Sequence, residues 1–284
     1  MHALTGHAPQ QTKKILNSFP DLIRSWRSIR KHSQLSLACD AGVSQRHLSF
    51  LESGRAKPSR EMVIQLSEAL DIPLRDRNAL LAAAGFAPFY KERALTDVEM
   101  QPVYDALKRS IKHHDPYPAI VVDGNWNLLL ANDSTYAMLR LIGEPETIWQ
   151  EVDPTGQKNI YRLTFHPKGL KPYISNWEIL APQMLARLQK EANDDPNNHQ
   201  LSELLKEIIG LFEDNTQLHP NYTNLPLMPM LPMEITLMGI NLKLFSMIST
   251  FGTAVDVTAS ELKIESFFPA DAETENLFAS LKTK

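Results

Sequence analysis

Between Asp21 and Ala84 apolar residues return every three or four positions, the period of helices that bury one stripe. Leu22, Trp26 and Ile29 place a first helix over about 21–31, with Arg24, Arg27, Arg30 and Lys31 expected on its wet side. Ser33 is suited to cap a second helix beginning at Gln34, because its hydroxyl can accept from the orphan amides of a first turn. Ala41-Gly42-Val43 stops it: Gly42 tolerates the left-handed conformation of a helix end, and Val43 is apolar just beyond. Ser44 is the next N-cap, so two helices meet across a short turn. Pro58-Ser59 opens a helix to Leu70 with Met62, Leu66 and Leu70 inward. Pro73 opens a fifth through Leu74, Leu80 and Leu81 to near Gly85.

The pattern changes after the helix predicted over Asp97–His114, whose stripe is Val98, Val103, Leu107 and Ile111. Pro118–Val122 is an unbroken apolar run, Asp123-Gly124 marks a hairpin turn, and Trp126–Ala131 returns as a second strand. Asn132 or Asp133 caps a helix through Tyr136, Leu139 and Ile142. Asn159–Phe165 is short and amphipathic and ends at His166-Pro167. Asn176 caps a long helix over Trp177–Ala192 with Ile179, Leu180, Met184, Leu185 and Leu188 inward, and His199–Phe212 follows. Pro220, Pro226, Pro229 and Pro232 forbid regular structure until three strands over Glu234–Met238, Ile240–Phe251 and Glu261–Phe268, the first turn supplied by Gly239. Asp271 caps a last helix, with Glu273 and Glu275 suiting its dipole and Leu277, Phe278 and Leu281 inward.

A chain of 284 residues has room for about two domains. The divisions expected are an arm over 1–18, a helical domain over 19–86, a linker over 87–96 and an α+β domain over 97–284. Charge sharpens that division. Residues 1–95 hold 14 Lys and Arg against 8 Asp and Glu, a net of +6, which leaves 15 against 25, or −10, for the rest. A basic head on an acidic body confines attraction for phosphates to the head. Cys39 is the only cysteine, which fits a reducing cytoplasm. No signal-peptide pattern opens the chain, and no apolar run approaches the roughly 18 residues of a membrane span.

The Ser44-capped helix sorts by angle. With Leu48 at zero and about 100° per residue, Ser44 and Leu51 fall on the core side, Arg46, Ser49 and Phe50 lie opposite, and Gln45 and His47 flank them. A helix with donors on its outer face, held by a short partner, is the geometry that enters a DNA major groove. Gln can pair bidentately with adenine and Arg with guanine, while Phe50 can touch a thymine methyl. Arg55 and Lys57 stand in the following loop, where phosphate contacts are expected. The bland alternative is a helical hairpin with a solvated face.

Gln34 to Glu52, with Ala41-Gly42-Val43-Ser44 at its middle and Glu52-Ser53-Gly54-Arg55 closing it, resembles the helix-turn-helix of lambda-repressor-like (XRE) regulators. The resemblance implies phosphate contacts for Gln34 and Arg55, and base contacts for Gln45, Arg46, His47 and Ser49. A second set of blocks is similar to the ligand-binding domain of MmyB-like transcription regulators. These are Pro118 to Asn132, Leu163-Thr-Phe-His-Pro-Lys-Gly169, Asn176-Trp177, Phe251-Gly-Thr253, Asp256-Val-Thr258 and Phe267-Phe-Pro-Ala-Asp271. That likeness implies a PAS-like antiparallel sheet with helices over it, enclosing an apolar pocket for a fatty-acyl-type ligand. The chain departs from many relatives in having only Arg30-Lys31-His32-Ser33 where they carry a longer Arg/Gly-rich run.

The body lacks the familiar marks of catalysis: there is no phosphate-cradling glycine loop, no G-x-S-x-G elbow and no H-E-x-x-H. His166 with Asp256 is a conceivable base and orienter, although a helix end for His166 and a turn cap with Thr258 for Asp256 explain them better. His113-His114-Asp115 lacks metal-ligand spacing. No catalytic residue, metal or cofactor is therefore assigned. Sensing fits better, because Met228, Met230, Met233, Met238 and Met247 crowd one region and thioethers adapt to irregular apolar shapes. Trp126, Tyr136, His166, Trp177, Met247 and Phe251 are the candidate wall of a small-ligand pocket. The expectation is a cytoplasmic, homodimeric DNA-binding regulator with no membrane contact. A DNA-bound adaptor for a protein partner and a DNA-tethered enzyme are the rivals.

Overall fold

In the computed structural model the described residues are 18–213, 230 and 232–281. The expected arm, apart from Ser18, and Met228 with the prolines at 220, 226 and 229 lie outside them. Two compact units divide the chain, residues 1–90 and 91–284. The segment expected as a linker is shared between them. Asn78 holds residues 89 and 90 through their backbone amides, whereas Lys91 pairs with Asp256 in the second unit.

The first unit is five helices: α1 Phe19–Ile29, α2 Gln34–Asp40, α3 Gln45–Glu52, α4 Arg60–Ala69 and α5 Leu74–Ala83. Ser18, Ser33, Ser44 and Ser59 each cap the helix that follows, their hydroxyls accepting from the backbone three residues on. Each such cap contributes about 1 kcal/mol. The far ends share one device. Lys31, Gly42, Gly54, Asp71 and Gly85 take positive φ, and the next amide reaches back to a carbonyl five residues earlier, as Val43 does to Ala38 at 2.8 Å. This closes the orphan carbonyls and lets short helices stop cleanly. Ile23, Trp26, Leu37, Leu48, Leu51, Val63, Leu66 and Leu81 meet in one core. Met62, expected inward, is only partly buried, and Val63 takes the central place.

The second unit opens with a 3-10 turn at Val98–Met100 and α6 Gln101–His113. Val98 is 89% exposed, so it stands outside the predicted stripe. The strands are β1 Ala119–Val122, β2 Leu128–Ala131, β3 Met233–Leu237, β4 Ile240–Thr250 and β5 Lys263–Pro269. They form one antiparallel sheet in the order β2-β1-β5-β4-β3, the PAS-like arrangement. The β1–β2 turn is longer than a two-residue hairpin. Asp123 Oδ1 accepts from the amides of Asn125 and Asn127, and Trp126 swings to φ +66°, which delays β2 to Leu128.

Between β2 and β3 come α7 Asp133–Arg140, α8 Pro145–Val152, α9 Ile160–Phe165, α10 Trp177–Asp194 and α11 His199–Glu213. The proline-led α8 was not foreseen. Asn176 precedes α10 but does not cap it; its amide instead bonds Pro232 O and the Glu234 amide, tying the helix start to β3. Ile179, predicted inward, is 45% exposed. After β4 comes α12 Val257–Glu261, and after β5 comes α13 Ala272–Leu281, whose first turn Asp271 caps through the Thr274 amide.

Side chains alternate across the sheet as a pleat requires. Ala119 and Val121 face α6, with Leu107, Ile111 and Phe251. Ile120 and Val122 face the other way, toward α9, α10 and α11. A further apolar cluster joins α7, α8, α13 and the inner rows of β3 and β4 on that second face.

Candidate functional site

On α3 the Ser44 hydroxyl accepts from the His47 amide at 3.2 Å, and Leu48 and Leu51 are fully buried. Gln45 and Arg46 are exposed; His47, Ser49 and Phe50 are half-buried on the outer side. The guanidinium of Arg46 lies 5.4 Å from the centre of the Phe50 ring, a cation–π contact that pre-positions both side chains. Arg55 and Lys57 are exposed in the α3–α4 loop. That loop is pinned because the amides of Arg55 and Ala56 both donate to Phe50 O, at 2.9 and 3.2 Å.

Beneath this face lies a cluster that the hydropathy pattern left unread. Glu52 is 2% exposed. Its carboxylate accepts from Arg27 Nε at 2.6 Å and NH2 at 3.1 Å, and from Gln34 Nε2 at 2.7 Å. Arg24 donates to the Glu52 carbonyl. Arg27 also holds His32 O at 2.9 Å, and Arg30 holds Leu70 O and Asp71 O. The arginines expected to be solvated therefore point at backbone and carboxylate, joining α1, α2, α3 and α4. Gln34, expected to reach a phosphate, is aimed by Glu52. The readable signal was Glu52's position four residues after Leu48, which puts a charge on the core side of α3.

The second unit encloses an apolar chamber between the inner face of the sheet and α7, α8, α9 and α10. It is narrow, about 60 Å³, and its walls include Ile120, Leu128, Leu139, Trp149, Leu163, Ile235 and Leu244. Met138, Met184 and Met233 also line it. A mouth of about 220 Å³ adjoins it, sharing Met184, Met233, Leu244, Glu265 and Phe267 and adding Gln183, Arg187 and Ser246. Thioethers at a narrow constriction can rearrange with little rotamer cost. Gly169 keeps one wall in place. A Cβ there would lie 2.0 Å from Leu163 O, the carbonyl that accepts from the Leu170 amide at 2.8 Å.

None of the six residues expected as the wall lines this chamber. Trp126 is fully buried beside it, donating from Nε1 to Glu191 at 2.7 Å, with Arg187 and Lys263 over its ring at 4.3 and 4.5 Å. Tyr136 is half-buried on α7. Trp177 packs edge-on against Phe165 at 5.0 Å. Phe251 lies with the α6 cluster, across the sheet. Met247 is 56% exposed, and Met230 and Met238 are 45% and 84% exposed, so among the described residues only Met233 of the predicted methionines reaches the chamber. His166 Nδ1 accepts from the Lys168 amide at 3.1 Å; burial, and then the Lys168 charge, lower its pKa from the ordinary value.

No hydrogen bond joins His166 to Asp256. Asp256 caps α12 through the Ala259 amide and takes Arg93 NH1 at 2.8 Å. His114 Nε2 bonds Phe267 O at 2.6 Å, spending it on the sheet. Among the described residues no cluster of His, Cys, Asp and Glu has metal-site geometry, and no helix is long and apolar enough to cross a membrane.

Comparison with known proteins covers both units. The family described as MmyB-like transcription regulator ligand binding domain matches residues 103–281, and the helix-turn-helix family matches 23–76. No match is found among curated proteins. Among solved structures the chain is similar to one titled "Structure of an RNA-binding Light-Oxygen-Voltage Receptor", at 11% identity and a TM-score of 0.25. That likeness covers 93% of this chain, which spans 64% of the other's length.

Proposed function

The chain belongs to the MmyB-like transcription regulators, a DNA-binding helix-turn-helix joined to a ligand-binding domain, and from that premise we propose what it reads and what it senses. The outer row of α3 reads base edges in a major groove, with Gln45 and Arg46 as the principal contacts and His47, Ser49 and Phe50 supporting. Ser44, Gln34, Arg55 and Lys57 fix the register through phosphates. Two copies bind as a homodimer, because one α3 spans few base pairs and half-sites about 34 Å apart suit a two-fold pair. The work is done in the cytoplasm, where the duplex is.

The ligand is a small apolar chain of the fatty-acyl type, taken into the chamber between sheet and α10. The observation that carries this reading is a cavity walled almost wholly by apolar side chains, three of them methionines, and opening at a charged mouth. Occupancy shifts the regulator between two states only by the ligand's differential affinity for them. Extraction of the purified protein followed by mass spectrometry tests it: a copurifying apolar molecule, or a rise in Tm with added medium-chain compounds, is the expected result. No copurifying molecule and no shift would remove the pocket reading. Electrophoretic mobility with mixed-length protein tests the dimer, which a single intermediate band between two homodimer bands supports.

A further inference from the structure

The mouth of the chamber constrains the head of the ligand. Cross-strand pairing puts Glu265 opposite Ile120, so its side chain projects from the inner face of β5 with Phe267 next in the row. Glu265 is 5% exposed and lines both the chamber and its mouth. Its contacts fall on one oxygen: Oε1 accepts from Ser246 Oγ at 2.7 Å and faces Arg187 NH1 at 3.6 Å, a distance too long for a direct hydrogen bond. Oε2 accepts no hydrogen bond from the described residues. Arg187 in turn donates from Nε to the Tyr161 hydroxyl at 3.1 Å and stacks over Trp126, which holds the guanidinium in place with its terminal nitrogens toward the mouth.

A buried acceptor with one unused oxygen and a fixed donor thus stand side by side where an apolar tail would end. Resting on the apolar-ligand reading above, we propose that the chamber takes a chain whose head is neutral and carries both an acceptor and a donor, of the carboxamide class. The head carbonyl accepts from Arg187 and the head N–H donates to Glu265 Oε2. A bare carboxylate can satisfy Arg187 but sets a second negative charge beside Glu265, and like charges at that range repel. A cationic amine meets the converse difficulty at Arg187.

Isothermal titration of the full chain, stripped of lipid, with decanamide and decanoic acid at pH 7.5 decides the matter. The amide is expected to bind at least ten-fold more tightly. In Glu265→Gln, which keeps the volume and removes the charge, the acid should gain at least ten-fold and the preference collapse. Acid binding more tightly than amide in the wild type overturns the head-group assignment while leaving the apolar pocket standing. If neither compound binds, both readings fall. A preference for the amide that is unchanged in Glu265→Gln also overturns it, since the selectivity would then arise elsewhere; should that variant fail to fold, the wild-type comparison still decides.

Discussion

The two units place their working residues in opposite ways. In the helical unit the candidate DNA-contact face runs along one turn and one helix, Ser44 to Phe50, with Arg55 and Lys57 a few residues on. In the PAS-like unit the chamber draws its walls from β1, β2, α7, α8, α9, α10, β3, β4 and β5, so that neighbours in space lie far apart along the chain. A face confined to one helix inherits its geometry from local periodicity and caps. A cavity inherits it from register and from which loops bring helices over a sheet. The first therefore depends on a few buried polar anchors, and the second on many apolar contacts, each replaceable in part.

Breaking the anchor should give the largest effect. Glu52→Ala leaves Arg27 and Gln34 without their carboxylate in a buried setting, and the expected loss is about 3 kcal/mol, the low end for a severed buried pair because Arg27 keeps some solvent. Denaturant unfolding of the full chain would show an early transition for the helical unit, with ligand binding in the other unit untouched. Arg27→Met combined with Glu52→Leu should recover most of that loss. If Glu52→Ala were as stable as wild type, the anchor would be incidental.

Obstructing the chamber comes next. Met184 lies at the junction of chamber and mouth, and Met184→Trp should lower affinity for a medium-chain ligand by about a hundred-fold or more, with an overpacking cost near 1–3 kcal/mol. DNA binding without ligand should be unchanged. Retained affinity would place the ligand elsewhere.

The same unit should carry an alkaline dependence through Tyr161. Burial, only partly offset by Arg187, pushes the Tyr161 hydroxyl up to about 12 from an ordinary 10. Because the folded state holds that proton more tightly, its stability is full below about pH 10 and declines as pH rises toward about 12, at roughly 1.4 kcal/mol per pH unit. Tyr161→Phe should flatten this part of the profile, read by denaturant unfolding in steps across that window.

Contacts on the outer face of α3 should cost less and cost selectively. Gln45→Ala and Arg46→Ala are each expected to lose about 1–3 kcal/mol of discrimination at one base pair, whereas Arg55→Ala weakens all sequences alike and flattens the salt dependence. Binding to a library of duplexes at two salt concentrations separates the two patterns. Uniform weakening by Arg46→Ala would move it to the phosphate set.

The smallest effect is the most instructive about what a sequence can reveal. The serine caps, Gly42 and the Leu48–Leu51 spacing made the helical unit and its outer row readable, since each is decided within a few residues. The strands and most helices of the second unit were readable for the same reason, whereas their assembly into one antiparallel sheet was implied by the resemblance to MmyB-like ligand-binding domains. Glu52's burial was not, because its partners come from α1 and α2. The chamber wall was not, because strand alternation puts Met247 and Phe251, four residues apart, on one face but leaves unsaid which layer covers that face. Aromatic residues and methionines drew attention by type: Trp126 proved to be packed under Arg187 and Lys263, and Met247 to be exposed on β4. Met247→Ser should accordingly leave affinity for a medium-chain ligand within about two-fold and stability within about 0.5 kcal/mol, as for other surface changes. A ten-fold loss of affinity in that variant would mean that the ligand reaches the outer half of β4, and the chamber would then describe only part of the site.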